Sequence, residues 1–388
     1  MGGPREEFLE LTSQAREALQ ADDAAAAIEK YSHALGASFS VISEDLRILA
    51  RLGLADAFRV KGELAAAAQL TERALSDALR SYGERSAVHA EALNDAGVQK
   101  HYEGDLAAAR DYYERAIEVF SQVDAPVGWH AACLVNLGTL LSRHFQEFTR
   151  ATELFERAVE ILGHDPDTAH DRYEVMEKLA LHYHELSYHE ERTISLLREV
   201  LEYKCAAYGT DAIATADTLA LLGRCFEQAG DYASALSSLI DARRIYAVKL
   251  PVTDVRYANA CRYLGSVRSR LDNFASAEAL FREADSAYRA TLGEFHPYTL
   301  DTRLSLAHTL GAQGRTAEEA ALYDAVVDGY KQQYGERSRD FAHALHERGT
   351  RRMETGDLDG AAEDLARARK LRAEILGTGA YDYAITLN

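Results

Sequence analysis

The sequence predicts an all-α solenoid of about nine antiparallel helix hairpins. Three observations lead there: a 42-residue internal repeat, a near absence of proline, and small and large residues recurring at fixed phases. The 388 residues hold 5 prolines and 25 glycines, so breakers are scarce in a chain rich in strong helix formers. One pattern recurs: a small residue, six others, a Gly-Asp-aromatic turn, then Ala, a large apolar residue and Ala. It is clearest in LGRCFEQAGDYASALSSLIDARRIY, from Leu222 to Tyr246. With Gly230 as the anchor, equivalent positions are Asp22, Gly62, Gly104, Gln146, Tyr188, Gly230, Asp272, Gly314 and Gly356. After a first step of 40, every step is 42 residues, the mark of stacked supersecondary units.

Each unit begins with a first helix that ends at the anchor, where the chain turns tightly. The second helix is defined by its packing stripe. Five residues past the anchor stand Ala27, Ala67, Ala109, Ala151, Thr193, Ala235, Ala277, Glu319 and Ala361, and twelve past it stand Ala34, Ala74, Ala116, Ala158, Val200, Ala242, Ala284, Val326 and Ala368. Small side chains there let helix axes approach to about 8–10 Å. Nine past the anchor stand large groups such as Tyr31, Tyr113, Phe155, Phe281 and Tyr323, which fill the gaps left by the small ones. All three phases fall on one helical stripe.

The loop closing each unit carries Gly83, Gly209, Gly293, Gly335 and Gly377 at one phase, where a left-handed helix terminus is expected. Pro126, Pro166, Pro251 and Pro297 lie in the same loop. The expected hairpins are 5–37, 43–82, 86–124, 127–164, 168–208, 211–250, 253–292, 296–334 and 338–376, forming one array over 1–388. Residues 380–388 read as the start of a tenth first helix or a cap, and either a cut from a longer chain or a non-globular continuation is expected. The fourth unit lacks a turn glycine and carries Gly138 one residue early, so a local irregularity is expected there.

The motif L-G, six residues, G-D-Y, two residues, Ala, three residues, aromatic, two residues, Ala resembles the tetratricopeptide repeat, lengthened by eight residues. The stretch from Leu292 to Gly335, with His296-Pro297 and Thr299, is similar to the repeats of the kinesin light chain type. That resemblance implies a right-handed superhelix and a concave groove lined by first helices. It also implies inward-facing asparagines. These stand at Asn94 and Asn136 and are replaced by Lys178, Ala220, Arg262, Leu304 and His346 further on. No heptad segment precedes the repeats, so the motor-binding part of that family is not expected from this sequence.

Charge narrows the function. Lys and Arg number 43 against 62 Asp and Glu, a net −19, which disfavours nucleic acid and acidic membrane surfaces. No apolar run approaches the roughly 18 residues of a membrane span. Cys133, Cys205, Cys225 and Cys261 show no close pairing and read as free thiols of a reducing compartment, with cytoplasm the expected location.

The groove implied by the resemblance falls at 13, 10, 6, 3 and 2 residues before each anchor. Its positive residues are Arg16, Arg59, Arg143, Lys178, Arg224, Arg262 and Arg270; its negative ones are Asp56, Glu91, Glu185, Asp217, Glu227, Asp301 and Glu354. The two sets balance, so the excess acid lies elsewhere. The candidate binding residues are Asn94, Asn136, Lys178, His182, Arg224, Arg262 and Arg270. Amides offer a donor and an acceptor to a peptide backbone, and the arginines suit an acidic or carboxylate partner through bidentate pairing. The competing reading is that these bases only neutralise Glu185, Asp217 and Glu227. Histidines His101, His144, His308, His343 and His346 also fall at groove phases, so ligand affinity is expected to depend on pH.

Metal binding and catalysis are not expected, and no cofactor is implied. In LHYHELSYHEER, from Leu181 to Arg192, His184 and His189 are five apart rather than the four of a helical metal pair. His182 with Glu185 supplies two ligands, too few to close a zinc site. The chain has no GxSxG elbow, phosphate loop or dinucleotide fingerprint. The expected function is therefore a non-catalytic scaffold or adaptor that holds a peptide segment of a partner protein, of the cargo-adaptor kind that the resemblance implies. The alternative is a regulatory sensor whose array changes curvature on binding a peptide or small molecule.

Overall fold

The computed structural model describes residues 3–36, 42–187 and 189–376. Among these the chain is an all-α repeat solenoid without strands. Eighteen α-helices follow one another as first and second helices of successive hairpins. They are α1 (Pro4–Gln20) and α2 (Ala24–Gly36), α3 (Glu44–Val60) and α4 (Leu64–Tyr82), α5 (Ala87–Tyr102) and α6 (Leu106–Phe120), α7 (Val127–Leu140) and α8 (Phe148–Leu162), and α9 (Ala169–Glu185) and α10 (Glu190–Tyr208). Then come α11 (Ile213–Gln228) and α12 (Tyr232–Lys249), α13 (Val255–Arg270) and α14 (Phe274–Thr291), α15 (Pro297–Ala312) and α16 (Thr316–Tyr334), and α17 (Arg339–Thr355) and α18 (Leu358–Leu376). The chain divides into two compact units, Met1–Tyr183 and His184–Asn388. The segment Tyr381–Asn388, the loop glycine Gly377 and the fifth anchor Tyr188 lie outside the described residues.

The turn at the anchor requires positive φ. Gly62, Gly104, Gly230, Gly314 and Gly356 supply it at 77–89°, and Asp22, Gln146 and Asp272 adopt it at 56–61°. Aspartate after the anchor then starts the second helix: Asp105 accepts from the Ala108 amide and Asp231 from the Ser234 amide, each at 3.1 Å. The inter-unit glycines depart from expectation. Gly83 closes α4 at φ 75°, ψ 176°, and Gly335 closes α16 at φ 75°, ψ 174°. This is not the left-handed helical region but the extended positive-φ region, which is essentially open to glycine alone.

The core lies between the helices of each hairpin and between neighbouring hairpins. The alanines at both small phases are buried, with Ala67, Ala109, Ala235 and Ala277 fully inaccessible. The large residue nine past the anchor meets a glycine seven before it. A Cβ on Gly97 would lie 2.6 Å from the Tyr113 ring, one on Gly223 2.5 Å from Leu239 Cγ, and one on Gly265 2.9 Å from Phe281. Each pair is 16 residues apart within one hairpin. In the fourth hairpin the pair is Gly138 and Phe155, 17 apart. The extra residue is absorbed by a π-helical turn, Leu141–Phe145, ending on left-handed Gln146. That is the physical form of the irregularity announced by Gly138.

Gly223→Ala tests this packing. Alanine gains about 1 kcal/mol of helix propensity over glycine. Overpacking costs about 1–3 kcal/mol, and the added Cβ would meet the branch point Cγ of a fully buried Leu239 at 2.5 Å. The expected result is a net loss of up to about 2 kcal/mol in urea unfolding; a gain in stability overturns this account of the glycine phase.

Candidate functional site

Positions 13, 10 and 6 before the anchor are three and four residues apart, so they share one face of a first helix. In the second unit these faces border a cleft of about 710 Å³. Helix α13 contributes Arg262; α15 contributes Asp301, Leu304, Ser305 and His308; α17 contributes His343, His346 and Glu347. Arg339 and Asp340 in the first turn of α17, and Arg372 of α18, complete the wall. Three arginines face three carboxylates, and the three imidazoles lie among them.

Asp301 and Glu347 are restrained by hydrogen bonds. Tyr330 donates to Asp301 Oδ1 at 2.5 Å, as Tyr246 donates to Asp217 at 2.7 Å and Tyr288 to Asn259 at 2.5 Å. These buried tyrosines stand 16 past their anchors and reach back to the position 13 before them. Glu347 lies 3.3 Å from His308 Nε2 and 3.9 Å from His343 Nδ1. The hydrogen bond from His308 holds its carboxyl below the usual range, against burial. Tyr323 places its hydroxyl 3.1 Å from His308 Nδ1. His346 is different: its Nδ1 is excluded from solvent without a partner, and burial and Arg372 hold its imidazole below the ordinary range.

Arg262 carries no ion pair among the described residues, and its Nε is excluded from solvent without a hydrogen bond. Its guanidinium lies 4.3 Å from the centroid of Tyr263, and Arg224 lies 4.9 Å from the same ring. Stacking of this kind orients a cation without neutralising it. Arg270 is exposed, with Nε 3.6 Å from Glu227 Oε1. Of these three bases, only Arg270 meets one of the acids expected to neutralise it. Asp217 is engaged by Tyr246.

In the first unit, Asn136 donates from Nδ2 to Asn94 Oδ1 at 3.0 Å, joining α5 and α7. Asn94 is buried and Asn136 half-buried. Lys178 is exposed on α9. His182 is buried: Nδ1 lies 3.2 Å from Ser142 Oγ, Nε2 lies 3.0 Å from Thr152 Oγ1, and the ring packs 5.3 Å from Phe155. Both nitrogens are thus engaged inside the unit rather than presented at its surface. Arg59 is also buried, held by Asp95, and Glu91 keeps Oε2 excluded from solvent without a partner.

Cys133 and Cys225 do not form a nucleophilic centre. Cys133, although at a groove phase, is fully buried and donates to the Tyr113 carbonyl at 3.5 Å. Cys225 lies 3.6 Å from His184 Nδ1. Burial pushes the thiol up to about 12, and burial with Arg224 pushes the imidazole down to about 4. Both groups are neutral at pH 7, whereas a thiol nucleophile needs the thiolate. Among the described residues no three potential ligands converge as a metal site, and no helix is long and apolar enough to cross a membrane.

Sequence phase did not bring out Arg339, Asp340, Glu347, Tyr263 or Arg372 as site residues. Arg372 had a usable signal: it stands 16 past its anchor, where earlier units carry Tyr246, Tyr288 and Tyr330. A cation replacing a repeated tyrosine marks a changed environment.

Comparison with known proteins agrees with the repeat fold. A tetratricopeptide repeat family model matches residues 88–164 and 257–332. No curated protein matches the chain. The apo form of RapI is similar in fold, with a TM-score of 0.72 at 13% identity, over 95% of this chain and 98% of that one. The apo form of the quorum sensor NprR from B. thuringiensis gives a TM-score of 0.65 at 14% identity, over 94% and 99%. A putative kinesin light chain with nearly identical TPR-like repeats, from Podosopora anserina, gives 0.48 at 19% identity, over 53% and 96%.

Proposed function

We propose that this chain, a tetratricopeptide repeat protein of the kinesin light chain type, is a non-catalytic scaffold or adaptor that holds an acidic peptide segment of a partner protein. The observation carrying this reading is the cleft bordered by α13, α15 and α17, with Arg262 set at its edge on an aromatic ring and without a carboxylate partner. A half-buried guanidinium that hydrogen-bonds Tyr288 but makes no ion pair gains from a carboxylate ligand, where bidentate bonding adds specificity. Arg224 and Arg270 extend the basic face. In the first unit Asn94 is buried and bonded to Asn136, which leaves the half-buried Asn136 and the exposed charge of Lys178 as the groups within reach of a peptide. The four free thiols fit a reducing compartment such as the cytoplasm. A cargo-adaptor role rests on repeat length and motif alone.

The test uses rhodamine-labelled acetyl-hexaglutamate and fluorescence anisotropy at pH 6. Arg224→Glu/Arg262→Glu is expected to weaken binding at least tenfold, about 1.4 kcal/mol. Arg224→Glu alone, at a half-exposed position, keeps the test valid if the double variant unfolds. Unchanged affinity removes the cleft from the peptide path.

The sensor reading has one observation of its own: the fold shared with the quorum sensor NprR extends over nearly the whole of both chains. A sensor must change shape on binding, so its radius of gyration in solution scattering shifts with ligand. A scaffold keeps the same radius.

A further inference from the structure

We propose that the cleft of the second unit is a proton-coupled acceptor for carboxylate side chains, binding acidic peptide tightly only when its histidines are charged. This rests on the peptide-groove reading and adds its regulation.

The argument starts from the charge inventory of the walls. From α13 comes Arg262, and from α15 come Asp301 and His308. From α17 come Arg339, Asp340 and Glu347 together with His343 and His346, and from α18 comes Arg372. Tyr323 of α16 contacts His308 and is itself neutral at physiological pH, its hydroxyl being pushed above the ordinary range by burial. With neutral imidazoles the arginines and carboxylates of the cleft walls cancel, and Glu319, Glu354 and Arg351 on the other side of His308 are acidic in sum, in a protein of net −19. An acidic peptide then meets a neutral cleft inside an acidic molecule. Protonating up to three imidazoles converts the same walls to a net positive charge.

Two of the three imidazoles already have an acid to share. His308 and His343 flank Glu347 at 3.3 and 3.9 Å. His346 has none within reach of its orphaned Nδ1. It is half-buried, and desolvation with the nearby Arg372 outweighs the pull of Glu347, so charging it in the empty cleft is unfavourable. A ligand carboxylate supplies the missing acceptor. By linkage, a ligand that favours the charged imidazole is favoured by it in turn, so affinity rises as pH falls.

The probe is acetyl-hexaglutamate, whose side chains titrate near 4.3 and stay charged down to pH 5.5. Calorimetric titration of the full chain at pH 5.5, 6.5 and 7.5, at constant ionic strength, is expected to show affinity about tenfold higher at the lowest pH. At pH 6.5, titrations in buffers of different ionisation enthalpy are expected to show net proton uptake on binding. This second readout needs no variant. In His308→Gln/His343→Gln/His346→Gln the pH dependence is expected to fall below about twofold, and His346→Gln alone to remove part of it. Acetyl-hexaglutamine is expected not to bind. Binding that is equally tight at all three pH values, without proton uptake, overturns this inference and leaves the peptide groove standing. Pronounced pH dependence that survives in the triple histidine variant also overturns it. Absence of hexaglutamate binding at every pH overturns the peptide-groove reading and this inference with it.

Discussion

Arg59→Met is expected to destabilise the first unit by about 3–5 kcal/mol, the usual cost of leaving a buried charge without its partner. The side chain of Arg59 is 1% exposed, and its guanidinium makes a two-pronged contact with Asp95, 2.5 Å from Nη2 to Oδ1 and 3.2 Å from Nη1 to Oδ2. Thr71 donates to the same carboxylate at 2.7 Å, and Gln99 accepts from Nη1 at 3.5 Å. One cation thus ties α3 to α4 and α5. Methionine restores most of the packed volume but leaves Asp95 desolvated. Arg59→Met/Asp95→Leu removes both charges and is expected to recover most of the loss, since a well-packed apolar pair is often as stable as the ion pair it replaces. Urea unfolding of the parent, both single variants and the double variant measures the coupling. A cost below about 1 kcal/mol for Arg59→Met would place the pair with weak surface bridges and sink the prediction.

The second large effect is on pH. Glu91 sits on α5 with Oε2 cut off from solvent and unpartnered, one turn before Asp95. Burial, and then the Asp95 charge, push its carboxyl from 4.5 up to about 8, opposed by a hydrogen bond from Asn94. The folded chain therefore retains a proton that the unfolded chain releases. Stability contributed by this group falls as pH rises from about 4.5 to about 8 and levels off above that. Glu91→Gln keeps the shape and removes the titration. It is expected to stabilise the chain at pH 8 by a few kcal/mol at most, read as a higher melting temperature, on the order of the displacement converted at 1.36 kcal/mol per pH unit, and to change little at pH 5. Comparing variant with parent at each pH cancels the titration of every other group. An equal shift at both pH values rules out the buried proton.

These two residues also show where sequence reading ran out. The 42-residue period exposes the alternation of first and second helices, because anchors and small residues are local requirements of turns and close packing. The misplaced Gly138 likewise announces the π-helical turn, since one extra residue must go somewhere. Phase gives the direction of a side chain but not its depth. Arg59, Glu91 and His182 stand at groove phases and are nonetheless drawn inside. Their depth is set by partners on other helices: Asp95 and Thr71 for Arg59, Ser142 and Thr152 for His182. Those pairings depend on three-dimensional neighbours with no fixed spacing. Arg262 and Arg224 are half-buried, and their common partner Tyr263 lies between groove phases. Arg372 comes from a second helix, a class of position that a first-helix reading leaves out.

The glycine that meets a large side chain 16 residues later bears on how such a chain can be recombined. Gly97 with Tyr113, Gly223 with Leu239 and Gly265 with Phe281 are each enclosed within one hairpin, and the partners differ in size. A crossover in an inter-unit loop keeps every such pair intact. A crossover at the tight turn separates a glycine from the side chain it accommodates, setting Gly223 against a phenylalanine or Gly265 against a leucine. Gene duplication or module exchange is therefore tolerated at the loops bearing Gly83, Gly209 and Gly335, and the inherited unit is the hairpin rather than the helix.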